Sequence, residues 1–185
     1  MVLLDSKDEQ YAKERLIKAL DNYSWRIGTG FLSTPYILSV LEEINIEYAY
    51  KLLLNEEMPG WLFMVKKGAS TIWESWEGNS TPDKGIASLN HYSKGALCEW
   101  LFSSMLGIKI IGENSIEINP KIGGNITYAK GSYQSVYGLI KSSWEIEDNI
   151  IKFTISVPSN VAARIILPGI DENIIGGTHV YEIKE

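Results

Sequence analysis

Cysteine and histidine are scarce in this chain of 185 residues, which has one cysteine, Cys98, and two histidines. A single cysteine excludes an intrachain disulfide, and so few Cys and His side chains argue against a zinc site. Because a free cysteine is usually a small buried hydrophobic residue, we expect Cys98 to be buried. The sequence therefore predicts neither a metal site nor a cofactor.

Basic residues are in the minority, with 17 Lys and Arg against 23 Asp and Glu and a net charge of -6. Nucleic acids and anionic membranes are bound through concentrated positive charge, so we expect neither as a partner. The N-terminus lacks the basic segment and apolar run of a signal peptide, and no apolar stretch reaches the roughly 20 residues that span a bilayer. As it stands, the sequence predicts a cytoplasmic chain.

The first part of the chain has the periodicity of helices. Apolar residues at helical spacing predict a helix over residues 6–21, a second that starts at Thr34 and Pro35, and a third over residues 46–56. A polar stretch over residues 68–87, rich in Gly, Ser and Thr, predicts a long loop. A fourth helix is expected from His91 to Leu106, with Gly107 at its C-terminus.

After Gly107 the apolar pattern changes to a period of two, which is typical of strands. The outward positions of the clearest strand are predicted to be Lys152, Thr154 and Ser156, and its inward positions are Ile151, Phe153, Ile155 and Val157. A hairpin should join this strand to residues 144–146. Further short strands are expected at residues 115–119, 126–128, 135–139, 163–167 and 180–183.

Six or seven strands separated by turns predict a β-sandwich. The fold class is therefore α+β in two parts, with helices over residues 1–107 and an antiparallel β-sandwich over residues 108–185.

The stretch "TIWESWE", Thr71–Glu77, places two carboxylates and two tryptophans within seven residues of the predicted loop, with Glu74 between Trp73 and Trp76. Glycoside hydrolysis needs carboxylates as acid and base, and indole faces pack against sugars. If the segment is extended, Glu74 and Trp76 share one face and Trp73 takes the other. On pattern alone, an exposed Glu beside a buried Trp is the more ordinary interpretation, and Glu77 is expected to be a solvated loop acid.

His91 lies in "NHY" at the start of the predicted fourth helix. Its ring could donate a hydrogen bond to a sugar hydroxyl, or it could cap the helix. The residue pattern favours neither.

Several motifs, in order and with plausible spacing, resemble those of the family 78 glycoside hydrolases, the α-L-rhamnosidases. The catalytic barrel is matched by "TGFLSTPYILSVL" (29–41), "YKLLLNEEMPGWLFMVKKGASTIWESWEG" (50–78) and "SLNHYSKGALCEWLFSSMLGI" (88–108). The β-sandwich that follows the barrel is matched by "YAKGSYQSVYGLIKSSWEI" (128–146) and "VPSNVAARIILP" (157–168).

The resemblance implies the closing helices of an (α/α)6 toroid that hydrolyses rhamnose-containing glycosides with inversion. It assigns the general base to Glu74 of "TIWE", and it places His91 of "NHY" against the bound rhamnose. We add Trp76 as a stacking surface from its chemistry. Glu77 receives no role.

One departure from the family pattern concerns the general acid, which the family carries in an acidic loop upstream of the "TGF" motif. Nothing that matches this loop precedes Thr29. A base without its acid loses most of the rate, so these residues alone should be nearly inactive. The alternative is a non-catalytic carbohydrate-binding or structural module.

The missing barrel helices also lead to an expectation about assembly. The apolar faces around Leu16, Leu38 and Leu52 should be exposed. Exposed apolar patches usually find a partner, so we expect a homodimer or an upstream catalytic region to cover them.

Overall fold

The structure is a computed structural model that describes residues 6–78 and 87–184. The chain divides into two compact units, Met1–Leu97 and Cys98–Glu185. Each unit has its own set of buried apolar side chains. The sequence-based boundary after residue 107 stays a prediction.

The described residues of the first unit form four α-helices before residue 79, of which three were predicted from apolar spacing. They are α1 (Ser6–Asn22), α2 (Ile37–Ile44), α3 (Ile46–Leu53) and α4 (Trp61–Lys66). The Asn45 side chain joins α2 to α3 by accepting the backbone N–H of Glu47 at 2.9 Å, which is a regular N-cap. The short α4 forms from an apolar run that was not predicted to be helical.

Two helix ends differ from prediction because polar side chains bind backbone groups elsewhere. Thr34 does not cap α2, since its hydroxyl donates to the Gly30 carbonyl at 2.8 Å and closes a turn before the helix. Helix α3 ends at Leu53 rather than at residue 56. There the Asn55 amide donates to the carbonyls of Ser24 and Trp25, at 2.9 and 2.8 Å.

The expectation of exposed apolar faces on the first helices is wrong for two of its three residues. Leu38 and Leu52 are 2% and 0% exposed, because α2 and α3 pack their apolar sides together. Leu16 is half-buried. Among the exposed apolar side chains, four lie in the segment before and within α2, at Phe31, Leu32, Tyr36 and Val40.

The predicted fourth helix is present as one helical segment of three geometries. A 3₁₀ turn at Ser93–Ala96 leads into α5 (Leu97–Trp100), which continues as a π-turn over Leu101–Met105. Gly107 follows with φ +73°, in agreement with its predicted place at the helix end. Cys98 is exposed, contrary to expectation, since it lies two positions from the buried Trp100 and therefore on another side of the helix.

The second unit is built on six strands. They are β1 (Ile108–Gly112), β2 (Ser115–Ile118), β3 (Tyr128–Ser135), β4 (Gly138–Glu147), β5 (Ile150–Leu167) and β6 (Ile170–Lys184). Their order is β1-β2-β5-β4-β3, and β6 pairs with β5. Every pairing is antiparallel except that of β2 with β5.

The two long strands allow the sheet to curl over one core. The register of β5 and β6 shifts between Val157 and Ala162, and such an irregularity bends a strand. Before this point β5 pairs with β4, and after it β5 pairs with β2. Side chains from both halves form a single apolar cluster. This confirms the fold class, helices followed by a mainly antiparallel β-sandwich.

The predicted register of β5 is confirmed. Phe153 is 1% exposed and its apolar neighbours at the alternate positions are also buried, whereas Lys152 is exposed. The hairpin from β4 turns at Asp148 and Asn149, whose φ angles of 50° and 60° are those of a tight two-residue turn.

Three short strands differ between the sequence-based prediction and the structure. The segment predicted as a strand at residues 135–139 is the β3–β4 turn, which is closed by a hydrogen bond from the Ser135 hydroxyl to the Gly138 carbonyl at 2.8 Å. The strand expected at residues 126–128 begins only at Tyr128. Strand β1 was not predicted.

Candidate functional site

Two segments that are distant in sequence lie side by side in the first unit. The Glu74 backbone N–H donates to the Ser88 carbonyl at 2.8 Å, and the His91 N–H donates to the Ile72 carbonyl at 2.8 Å. The Thr71 hydroxyl adds a bond to the Leu89 carbonyl. Residues 79–86 between the segments lie outside the described residues. The backbone therefore brings the predicted base and the predicted sugar contact onto neighbouring segments.

The Glu74 side chain is exposed and has one defined contact. Its Oε2 accepts the backbone N–H of Ser88 at 2.9 Å. A carboxylate can accept about four hydrogen bonds, so most of this capacity is open to a water or a ligand. The bond to Ser88 orients the carboxylate and occupies only one of its acceptor positions.

The chain turns after Glu74 instead of running on as an extended strand. Gly78 N–H donates to the Ser75 carbonyl at 3.3 Å, and Gly78 has φ +57°. The Trp73 ring packs directly on this glycine, so that a Cβ atom there would lie 2.5 Å from a ring carbon. The close packing and the positive φ together explain why a glycine ends the motif.

Trp76 is half-buried between a lysine and a second tryptophan. The Lys94 ammonium lies 4.4 Å from the centre of its ring, and Trp61 meets it edge-on at 6.0 Å with an interplanar angle of 79°. The ammonium occupies one face of the indole. A sugar could therefore not stack on that face.

Lys94 is the least exposed charged residue of this site, at 9%. Its ammonium donates to the Glu74 carbonyl, and its own carbonyl accepts the Trp61 indole N–H at 2.9 Å. Burial lowers the pKa of Lys94, while the nearby charges of Glu77 and Glu74 act to raise it. Glu77, expected to be solvated, is half-buried and contributes to this electrostatic environment.

The His91 ring is half-buried just before the helical segment. Its Nδ1 lies 3.1 Å from the Ser93 hydroxyl and accepts the Ser93 backbone N–H at 3.4 Å. The ring thus satisfies a backbone donor at the helix start, which is the capping role. In a neutral imidazole whose Nδ1 accepts, the proton resides on Nε2, so that this atom remains a donor. The capping role and a ligand contact are therefore compatible.

Aromatic rings surround His91. Tyr92 stacks on it at 5.1 Å and 16°, and Phe31 meets it edge-on at 5.9 Å. Phe31 also meets Tyr92 edge-on at 5.6 Å. Both rings are exposed, at 51% for Phe31 and 76% for Tyr92.

Sequence reasoning missed Phe31, Tyr92 and Lys94. The two aromatic residues belong to the quoted motifs "TGF" and "NHY", so their position inside the motifs was the available signal. Lys94 also lies in a quoted motif, but a lysine near a helix start usually extends into solvent, so its burial could not be expected.

Residues 6–78 and 87–184 contain no group of three or more His, Cys, Asp and Glu side chains placed to hold a metal ion. None of the helices in this part of the chain is long and apolar enough to cross a membrane.

Comparison with family models gives two matches. Residues 1–105 match the bacterial alpha-L-rhamnosidase 6 hairpin glycosidase domain, and residues 112–182 match the bacterial alpha-L-rhamnosidase C-terminal domain. An α-L-rhamnosidase of Formosa agariphila is 35% identical over 173 residues, which is 90% of this chain and 19% of that protein. One of Streptomyces avermitilis is 32% identical and is matched over 17% of its length.

Solved structures give the same answer. The Streptomyces avermitilis α-L-rhamnosidase complexed with L-rhamnose superposes with a TM-score of 0.84 and 28% identity, over 94% of this chain and 19% of that one. The Aspergillus terreus enzyme superposes with a TM-score of 0.87 and 26% identity, over 97% of this chain and 22% of that one. The chain spans about a fifth of the length of the proteins it matches and corresponds to their C-terminal part.

Proposed function

The chain belongs to the bacterial α-L-rhamnosidase family, and we propose that it supplies the general-base side of an active site that hydrolyses terminal α-L-rhamnosides. The observation that supports this most directly is the Glu74 carboxylate. It is exposed, oriented by the Ser88 N–H, and lies on a segment hydrogen-bonded to the one that carries His91.

In the proposed reaction, Glu74 takes a proton from a water molecule as the water attacks the anomeric carbon. Attack from the face opposite the leaving group inverts that carbon, and a carboxylic acid on the other side protonates the departing oxygen. Inverting pairs are about 6.5–9.5 Å apart, which leaves room for the water. We propose that residues outside this sequence supply the acid.

The remaining side chains have roles in holding the sugar. His91 Nε2 donates to a sugar hydroxyl, since Nδ1 is engaged by Ser93. Trp76 offers the indole face that Lys94 does not occupy. A bound L-rhamnose in the Streptomyces avermitilis relative supports rhamnose as the sugar.

Turnover by the chain alone is the first test. Hydrolysis of an alkyl α-L-rhamnoside, whose leaving oxygen needs a proton, should be no more than a trace, because a base without an acid lacks a large part of the catalysis. Turnover within a hundredfold of a complete family enzyme would show that these residues hold both groups.

A chimera tests the assignment of the base. This chain would replace the matched segment of the Streptomyces avermitilis enzyme, and the Glu74→Gln variant should then lose about 10²–10⁴ of the rate. Glu77→Gln is the matched control, because it removes a carboxylate from the same turn and should leave most activity. Equal rates in wild type and Glu74→Gln would move the base elsewhere.

The alternative function is a non-catalytic rhamnose-binding module. Calorimetric titration of the chain alone with L-rhamnose distinguishes the two. Tight binding together with an active Glu74→Gln chimera would favour the module.

We also propose that the exposed segment with Phe31, Leu32 and Tyr36 is covered in the assembled protein. Its cover would be an upstream catalytic region or a second copy of the chain. Sedimentation equilibrium at micromolar concentration separates them. A species of 20.8 kDa with no association would exclude the homodimer.

A further inference from the structure

Lys94 connects the two functional side chains of the Glu74 turn. Its ammonium donates to the Glu74 carbonyl and lies over the Trp76 ring, and its backbone carbonyl holds the Trp61 indole that packs against Trp76. We propose that Lys94 is a positioning residue whose protonated side chain holds the Glu74 backbone and the Trp76 indole as one unit. What this unit is for rests on the proposed function, but its existence does not.

The contacts of Lys94 reach Glu74 from a side that the carboxylate does not use. Ser88 binds the carboxylate, whereas Lys94 binds the carbonyl of the same residue. Glu74 is therefore fixed at both its side chain and its main chain. Loss of Lys94 would leave Glu74 with its two bonds to Ser88, one from its backbone N–H and one to its carboxylate, and would free its carbonyl side.

Both contacts depend on the charge of the ammonium. An ammonium is attracted to the face of an indole, and its hydrogen bond to a carbonyl is stronger than that of a neutral amine. Within residues 6–78 and 87–184, the charged groups that face it are Glu77 and Glu74, both in the turn, and both favour the proton. Burial is the larger effect and lowers the pKa of Lys94. As the pH rises, Lys94 should therefore lose its proton, and these two contacts should weaken, at a lower pH than is usual for a lysine.

Global stability is the wrong measurement for this proposal. A lysine whose pKa is lowered by folding opposes folding while it is charged, and this opposition fades as the pH rises through its folded pKa. Deprotonation would therefore weaken the contacts of the turn but raise the free energy of unfolding of the whole chain. The proposal is therefore tested by a measurement on residues of the turn itself.

Amide hydrogen exchange of the full chain at neutral pH is such a readout. In Lys94→Met the amides of Glu74 and Ser88 should exchange at least tenfold faster than in wild type, and Lys94→Arg should restore most of the protection. Lys67→Met is the matched control, because it removes an exposed lysine that also lies over a ring, that of Phe63. Unchanged protection in Lys94→Met would overturn the proposal.

A pH titration of the wild-type chain supplies a second test that needs no folded Lys94 variant. The fluorescence of Trp76 is obtained by subtracting the emission of Trp76→Phe from that of wild type. Its change with pH should have a midpoint below about pH 10.4, the ordinary pKa of lysine. A Trp76 signal that stays constant up to that pH would overturn the proposal. Neither readout uses rhamnose or turnover, so a failure here is separate from a failure of the proposed function.

Discussion

The core of the sheet unit and the site of the helical unit are each stabilised by a different kind of interaction. In the sheet unit, one apolar cluster joins residues from every strand, and few positions depend on an individual polar bond. In the site of the helical unit, residues 71–78 and 87–94 are held by single bonds to backbone groups and by ring contacts. A core distributes its stability over many contacts, whereas a site of this kind depends on a few defined ones.

The largest effect is expected in the sheet core. Phe153→Ala should lower the free energy of unfolding by about 3–5 kcal/mol, because the side chain is 1% exposed and its removal leaves a cavity. The matched control is Lys152→Ala, the exposed neighbour on the same strand, which should stay within about 0.5 kcal/mol. Urea unfolding gives both values. Similar losses in the two variants would refute the register of β5.

A substitution in the turn of the helical unit should be destabilising because of backbone conformation and steric overlap, and not because it leaves a cavity. Gly78→Ala meets two costs, about 1–2 kcal/mol for a side chain at φ +57° and about 1–3 kcal/mol for the overlap with the Trp73 ring. Gly68→Ala is the control, since it has φ +77° and no heavy atom within 4 Å of its added Cβ. It should show the first cost alone.

Thermal unfolding together with tryptophan fluorescence measures this pair. Gly78→Ala should lose more stability than Gly68→Ala and should also shift the emission, since Trp73 has to move. Equal losses with unchanged emission would show that the ring is not packed on Gly78.

The same contrast explains how much could be predicted from sequence. Strand β5 and its inward residues follow from a period of two, because a buried face imposes its pattern on the sequence. Helices α1, α2 and α3 follow from their period in the same way, whereas the short α4 does not. Where the pattern failed, one side chain had a stronger local bond, as Thr34 has with Gly30 and Asn55 with Ser24.

The site was only partly accessible to sequence reasoning. Glu74 and His91 were found through quoted motifs, and the structure places them on adjacent segments. Their closeness depends on hydrogen bonds between segments separated by a loop, for which no periodicity exists. Lys94 was missed because its role depends on burial, and a lysine in a sequence gives no sign of being buried.

A smaller effect should come from the hairpin between β4 and β5. Asn149 has φ 60°, which asparagine tolerates better than other residues with a Cβ. Asn149→Ala should therefore cost about 1 kcal/mol, whereas Asn149→Gly should keep or raise stability. Urea midpoints distinguish them, and a more stable alanine variant would contradict the turn geometry.

The smallest effect is expected at an exposed ion pair of the sheet unit. Arg164 on β5 binds Asp171 on β6 through two bonds, Nε to Oδ1 at 2.9 Å and a terminal guanidinium nitrogen to Oδ2 at 2.7 Å. The hydrogen bonds from Arg164 lower the pKa of Asp171. A carboxyl with a lowered folded pKa contributes stability above its unfolded value, and this contribution disappears as the pH falls through the folded value.

Carboxyl NMR titration of Asp171 isolates this pair from the core. At low salt its pKa should lie below the ordinary value, and it should return toward that value in Arg164→Gln or at about 1 M salt, where exposed charges are screened. Since both side chains are exposed, the urea midpoint of Asp171→Asn near neutral pH should stay close to that of wild type. An Asp171 that titrates normally at low salt would mean that the two bonds do not persist in solution. A large shift of the urea midpoint would mean that single polar contacts stabilise the sheet unit as well, which would remove the contrast with the Glu74 turn.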